Sequence, residues 1–244
     1  MFFLFFCVTA VILFGVLLAT AFLAFLVRHS NHNAKNVLKK PKISFCAVLG
    51  SGGHTTEMMN LISQLREEYE TRTYVIADTD KMSENKVLEY ENSINRGSYT
   101  IERIPRSREV GQSYISSVFS TLHSAYFSFG MINRVRPDLV LLNGPGTCIP
   151  VAFAAAFFDL IRLIDTVIIY EESICRVKKL SLSGAILYYS GLVDDVLVQW
   201  PDLKKEYPRS TYIGDLSDTI QTVETSEDIV IVDKADVDET KKNL

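Results

Sequence analysis

Ile43-Ser44-Phe45-Cys46-Ala47-Val48-Leu49-Gly50-Ser51-Gly52-Gly53-His54-Thr55 is the stretch whose reading decides the fold. Ile43 to Leu49 is apolar at nearly every position and reads as a strand buried on both faces. A glycine-rich turn follows, and Thr55 to Glu68 then carries Met58, Leu61, Ile62 and Leu65 at helical spacing. Strand, glycine loop and helix form the opening unit of an α/β sheet. Gly50, Gly52 and Gly53 let the backbone take positive φ and approach a ligand closely, and the helix behind them aims unpaired N–H groups at any anion there. A tight structural turn would use the same glycines. Ser51 and His54 favour a phosphate cradle over that plainer reading.

Working outward, further strands are expected at Thr73–Ala77, Tyr99–Ile104, Leu139–Leu142, which is nearly all aliphatic, Thr166–Tyr170 and Val193–Val198. Helical patterns separate them: a polar one from Ser83 to Asn92, and a long amphipathic one from about Gln112 to Val135, ended by Pro137. An apolar helix runs through Ile164, and one more precedes the sixth strand. Strands without polar alternation, each followed by a helix, predict a Rossmann-like, doubly wound parallel sheet. Within the apolar helix, Val151 to Phe158 reads either as buried core or as a patch that touches a membrane or a lipid tail.

The 244 residues, 48% hydrophobic and 22% charged, suffice for one core and something in addition. The addition is at the front. Phe2 to Val27 contains no charge and exceeds the roughly 20 residues needed to cross a bilayer, so residues 2–27 read as a transmembrane anchor. Residues 28–42 form a basic juxtamembrane linker with Arg28, Lys35, Lys39, Lys40 and Lys42, which puts the globular part on the cytosolic side. The domain is expected over 43–216. Residues 217–244, rich in Asp and Glu, read as a disordered acidic tail. Four cysteines without paired spacing give no disulfide framework or zinc pattern, and a net charge of −4 argues against a nucleic-acid partner.

In an open α/β sheet, ligands bind outside the carboxyl ends of the strands. Three loops leave such ends: Gly50 to Thr55, Asn143-Gly144-Pro145-Gly146-Thr147, and Glu171 to Arg176. The first lacks the lysine of a P-loop and the third glycine of the dinucleotide fingerprint, against ATP hydrolysis and NAD binding. No cofactor or metal is expected. His54 is a candidate general base or phosphate donor, with a purely local hydrogen bond as the alternative. Thr147 is placed to cap the helix after the second loop. Glu171, Glu172 and Arg176 suit sugar hydroxyls or a proton, or else a surface salt bridge. Arg106 and Arg108 suit a diphosphate, or else a solvated basic loop.

Six ordered motifs carry a more specific resemblance: Gly50 to Glu57, Ile76 to Asp80, Ile104 to Val110, Asn143 to Cys148, Glu172 to Val177, and Val198-Gln199-Trp200-Pro201. Together, over roughly Phe2 to Gly214, they resemble the Alg14 family. Its members are the membrane-anchored subunits of the N-acetylglucosamine transferase that adds the second sugar to the dolichol-linked oligosaccharide. The resemblance implies the N-terminal, acceptor-side half of a split GT-B glycosyltransferase, inactive alone. A separate soluble, Alg13-like subunit would bind UDP-GlcNAc and complete the cleft. About 180 to 190 residues after the anchor fit one such domain and not two.

The implied reaction passes N-acetylglucosamine from UDP-GlcNAc to GlcNAc-diphosphodolichol, β1,4 and inverting, on the cytosolic face of the endoplasmic reticulum. His54 and Glu172 are the implied catalytic candidates. Gly50, Ser51, Gly52, Gly53, Thr55, Asn143, Gly144, Gly146 and Thr147, with Arg106, Arg108 and Arg176, would hold the lipid diphosphate and sugar. A pure membrane recruiter without chemical groups of its own is the competing reading. Two departures from the family pattern stand out: the acidic tail beyond Gly214, and Glu171, where an apolar residue is more usual.

Overall fold

The computed structural model describes residues 40–107, 112, 114–144 and 146–214. In chain order the elements are β1 (Ser44–Val48), α1 (Gly53–Ser63), β2 (Thr71–Ala77), α2 (Lys81–Ile94), β3 (Ser98–Ile104), α3 (Tyr114–Val135) and β4 (Leu139–Asn143). There follow α4 (Cys148–Leu160), β5 (Val167–Glu171), α5 (Leu182–Ser190), β6 (Asp195–Val198), α6 (Pro201–Glu206) and β7 (Thr211–Tyr212). The strands form one sheet in the order β3-β2-β1-β4-β5-β6-β7, and every neighbouring pair is parallel. The expected Rossmann-like sheet is therefore present, with one more strand than the sequence pattern shows.

The two-residue period of a strand sends neighbours to opposite faces, and β1 feeds two cores in this way. Phe45 and Ala47 join Met58, Ile62, Val87, Tyr74 and Ile76 under α1 and α2. Cys46 and Val48 join Val140, Leu142, Met131, Ile132, Val151 and Leu187 under α3, α4 and α5. Both faces of the central strands are thus dry, which is why they carry no polar alternation. Each fully buried aliphatic side chain contributes on the order of 1.5–3 kcal/mol to this arrangement. A protein that buries its central strands so completely holds their carboxyl ends as a rigid platform.

Several boundaries differ from the sequence pattern for identifiable reasons. Helix α1 stops at Ser63, yet Leu65 still packs on the core from the turn behind it, so the apolar spacing outlasts the helix. Strand β2 begins at Thr71 instead of Thr73 because Arg72 is buried and paired with Glu91. Helix α4 ends at Leu160, and Arg162 in the turn beyond has φ 57°. Proline at the first helical position starts the short α6, and β7 is two residues long, too short for any periodicity.

The expected anchor (2–27), most of the linker, the tail (217–244) and Arg108 lie outside the described residues. Among the described residues, no helix is long and apolar enough to cross a membrane. In the stretch Val151 to Phe158, Val151, Ala152, Ala154, Ala155 and Ala156 are buried as the core reading expects, while Phe153 and Phe157 are exposed.

Candidate active site

Strand order reverses between β1 and β4: from β1 the chain builds outward to β3, then returns to lay β4 on the other side of β1. The loops that leave the carboxyl ends of these two strands therefore diverge and open a crevice. Gly50 and Gly144 meet there. A Cβ at Gly50 would lie 2.8 Å from His54 Cβ and 3.0 Å from the Asn143 carbonyl oxygen, and one at Gly144 3.1 Å from Gly50 Cα. Only glycine allows the two loops to touch backbone to backbone.

Gly52, with φ 70°, caps the first turn of α1, and no side chain bonds the helix's leading amides. Those N–H groups face outward, beside the exposed Ser51, Gly52 and Gly53. Thr55 turns inward instead. Its buried hydroxyl donates to the Gly50 carbonyl oxygen and lies 2.6 Å from Ser83 Oγ, so it closes the glycine loop. Thr147 is buried at the start of α4, and its side chain makes no capping hydrogen bond, contrary to the expectation from sequence. Gly146, with φ 51°, completes that second turn.

His54 stands between the two loops, its side chain 31% exposed. Its Nδ1 lies 2.9 Å from Asn143 Oδ1 and 3.4 Å from Glu57 Oε2. Asn143 is fully buried, and its Nδ2 donates to Glu171 Oε2 at 2.9 Å and to Glu57 Oε2 at 3.2 Å. The other Glu57 oxygen accepts from Ser173 Oγ at 2.8 Å and from Ile174 N at 3.3 Å. Residues from β4, β5, α1 and the loop after β5 thus converge on one imidazole.

The neighbouring Glu57 carboxylate raises the His54 pKa against the opposing effect of burial, helped by Asn143 and the Glu172 charge. Burial by itself would raise Glu57, but hydrogen bonds from His54, Ser173 and Asn143 outweigh it and hold that carboxyl below its usual range. Burial pushes Glu171 up to about 7 despite its bonds from Asn143 and Gln199.

The surface salt bridge considered for Glu171 and Glu172 is overturned, since both are 1% exposed. Burial also raises the Glu172 pKa, and its carboxylate is occupied by the chain itself. It accepts from Ser173 N at 3.0 Å, Ser181 N at 2.7 Å and Ser181 Oγ at 2.9 Å, and so shapes the loop into α5. A Cβ at Gly184 would come within 2.2 Å of Glu172 Oε2, which makes that glycine part of the same arrangement. Arg176 is exposed on this loop, and half-buried Arg106 leaves the carboxyl end of β3, farther along the same rim.

Glu57, Ser173 and Gln199 fall within motifs that carry the resemblance, but the sequence assigned none of them a role at the site. Glu57's partners Asn143 and Ser173 lie 86 and 116 residues downstream, beyond any local pattern.

A Rossmann-like domain that gathers a buried amide, two glutamates and a half-exposed imidazole at its switch point belongs to the class of open α/β domains that bind ligands at the carboxyl ends of their strands. The comparisons make that class specific. Residues 45–216 match the model of the family described as oligosaccharide biosynthesis protein Alg14 like. The UDP-N-acetylglucosamine transferase subunit ALG14 of Homo sapiens is 49% identical over 188 residues, covering 73% of this chain and 85% of the relative. That of Candida albicans is 45% identical over 179 residues, covering 72% and 80%. The chain belongs to the Alg14 family. Among solved structures, MurG of Acinetobacter baumannii superposes with TM-score 0.51 at 19% identity, covering 71% of this chain and 44% of MurG, a likeness of fold.

Proposed function

We propose that this chain is the membrane-anchored, acceptor-side half of a two-chain glycosyltransferase. Its partner, a soluble subunit, binds UDP-GlcNAc across the crevice, and the acceptor is GlcNAc-diphosphodolichol on the cytosolic face of the endoplasmic reticulum. The acceptor's hydroxyl oxygen attacks the anomeric carbon of the donor sugar. The new C–O bond forms with inversion as the bond to UDP breaks and UDP leaves with its electrons. His54 Nε2 takes the hydroxyl proton. The diphosphate of the lipid lies on the N-terminus of α1 beside Gly52 and Gly53, with Arg106 and Arg176 offsetting its charge.

One observation carries this reading. At Gly53 a Cβ would meet nothing within 4 Å and φ is not positive, so nothing among the described residues requires a glycine there. A ligand pressed against the loop would require it. Among the two candidate bases, the geometry favours His54, because the Glu172 carboxylate is already held by Ser173 and Ser181.

The test is His54→Ala in the reconstituted pair. Turnover should fall by about 10²- to 10⁴-fold while the partner still co-purifies. Near-normal turnover would leave this chain as a recruiter for a partner that performs all of the chemistry.

A further inference from the structure

The orientation of Asn143 fixes the proton on His54. The Asn143 amide nitrogen faces Glu171 Oε2 and the ionised Glu57 Oε2, so a flipped amide would set its oxygen against the Glu57 carboxylate, which can only accept. Oδ1 therefore faces His54 Nδ1 and can only accept. Nδ1 carries the hydrogen in the neutral ring. Nε2 keeps its lone pair, and among the described residues nothing bonds it. A histidine with a bonded Nδ1–H and a bare Nε2 is the form suited to accept a proton.

Glu57 does more than orient the amide. One of its oxygens touches both Asn143 Nδ2 and His54 Nδ1, while the other takes Ser173 Oγ and the Ile174 amide. A single side chain on α1 thereby joins the glycine loop, the Asn143 turn and the loop that bears Arg176. Its charge lies next to the ring on the side away from Nε2, where it stabilises the imidazolium formed when Nε2 takes a proton.

We propose that Glu57 is the positioning residue of this site, holding His54 as the Nδ1–H tautomer through Asn143 and clamping the Ser173–Arg176 loop to the glycine loop. The proposal deepens the reading of His54 as the base and rests on it for its effect on turnover. The acidic groups that face the imidazole are Glu57 from its own helix, Glu171 from β5 and Glu172 from the loop after β5. Of these, Glu57 alone lies within ion-pair distance of the ring among the described residues.

The experiment uses the full chain with its partner in detergent, assayed with UDP-GlcNAc and a GlcNAc-diphospho-lipid across pH. A neutral base loses activity as pH falls through its pKa, and Glu57 raises that pKa. Glu57→Gln should therefore lower kcat by about 10- to 100-fold at the optimum, leave KM for UDP-GlcNAc unchanged, and move the acid limb to lower pH. A limb that stays in place would overturn the proposal.

Nitrogen-15 NMR of the wild-type imidazole is the second measurement. Protonation at Nδ1 with a bare Nε2 is expected, and protonation at Nε2 would overturn the proposal even if Glu57→Gln failed to fold. Retained turnover in His54→Ala would defeat the assignment of the base, while the tautomer measured by NMR would still decide the role of Glu57.

Discussion

Gly50, Gly52 and Gly53 stand within four positions of one another and are glycine for three different reasons. Gly50 has no room for a side chain, Gly52 has φ 70°, and Gly53 has neither constraint. The three substitutions should separate accordingly. Gly50→Ala should destabilise the fold by roughly 1–3 kcal/mol, because its contacts are His54 Cβ and the backbone of Asn143 and Gly144. Gly53→Ala should match or slightly exceed the wild-type thermal midpoint, alanine being up to about 1 kcal/mol better in a helix. It should also raise KM for the lipid acceptor about ten-fold or more. An unchanged acceptor KM would remove the phosphate from this loop.

Glu171 allows a second test at this scale. Its pKa in the fold is about 7, above the 4.5 of a free side chain, so between these values the folded state holds a proton that the unfolded state has lost. Stability should therefore fall as pH rises through that window, by on the order of 3 kcal/mol, and level off above it. Glu171→Gln should flatten the dependence: its thermal midpoint at pH 8 should equal or exceed wild type, and its advantage should vanish at pH 5. The sequence showed that a histidine and several glycines would gather at a strand end, because adjacent residues carry that signal. It could not show that Glu171 and Glu172 are buried or that Glu57 faces His54, because chain topology brings those groups together.

At the scale of elements, the sequence located six of the seven strands, most clearly β1, β2, β4 and β5, which are buried on both faces, while the edge strand β3 is largely exposed. The exceptions are informative. β2 carries Arg72 at its second position, whose guanidinium donates to both Glu91 oxygens at 2.7 Å, while Tyr74 Oη donates to Glu91 Oε1 at 2.5 Å. Arg72 and Glu91 are 3% and 2% exposed, so a charged pair occupies a position that a hydrophobic pattern reserves for aliphatics. This cluster fastens α2 to β2 near the edge of the sheet. Glu91→Ala leaves the arginine buried without its counterion, and denaturant unfolding should show a loss of about 3–5 kcal/mol. Replacing both residues with leucines should recover much of that loss, since the cost comes from the stranded charge. If the single and double variants were equally unstable, packing would be the cause instead.

At the scale of the whole molecule, one face of the sheet is covered by helices that are themselves left apolar on the outside. Helix α3 exposes Phe119, Leu122 and Tyr126, spaced three and four apart, and α4 adds Phe153 and Phe157. Phe129 packs edge to face against Phe153 at 5.9 Å, Phe157 at 5.3 Å and Phe158 at 5.5 Å, which joins the two helices into one aromatic surface. Contiguous apolar surface of this kind marks an interaction face. In a chain whose Phe2–Val27 run is expected to lie in a bilayer, the membrane is the nearest apolar phase. The face would then hold the domain against the lipid surface, where a lipid-linked acceptor must reach the crevice between β1 and β4.

A chain that lacks residues 2–27 should accordingly still sediment with vesicles of mixed neutral and anionic lipid. Adding Phe153→Ser and Phe157→Ser should weaken that binding by on the order of ten-fold per ring, because each half-exposed ring loses apolar area to bury. Each ring also packs edge to face on Phe129, so stability should fall modestly, by about 0.5–1.5 kcal/mol per ring, without loss of the fold. If the shortened chain stayed in solution but the two serines weakened co-purification of the partner chain, the face would belong to the protein interface, and Phe2–Val27 alone would hold the complex at the membrane.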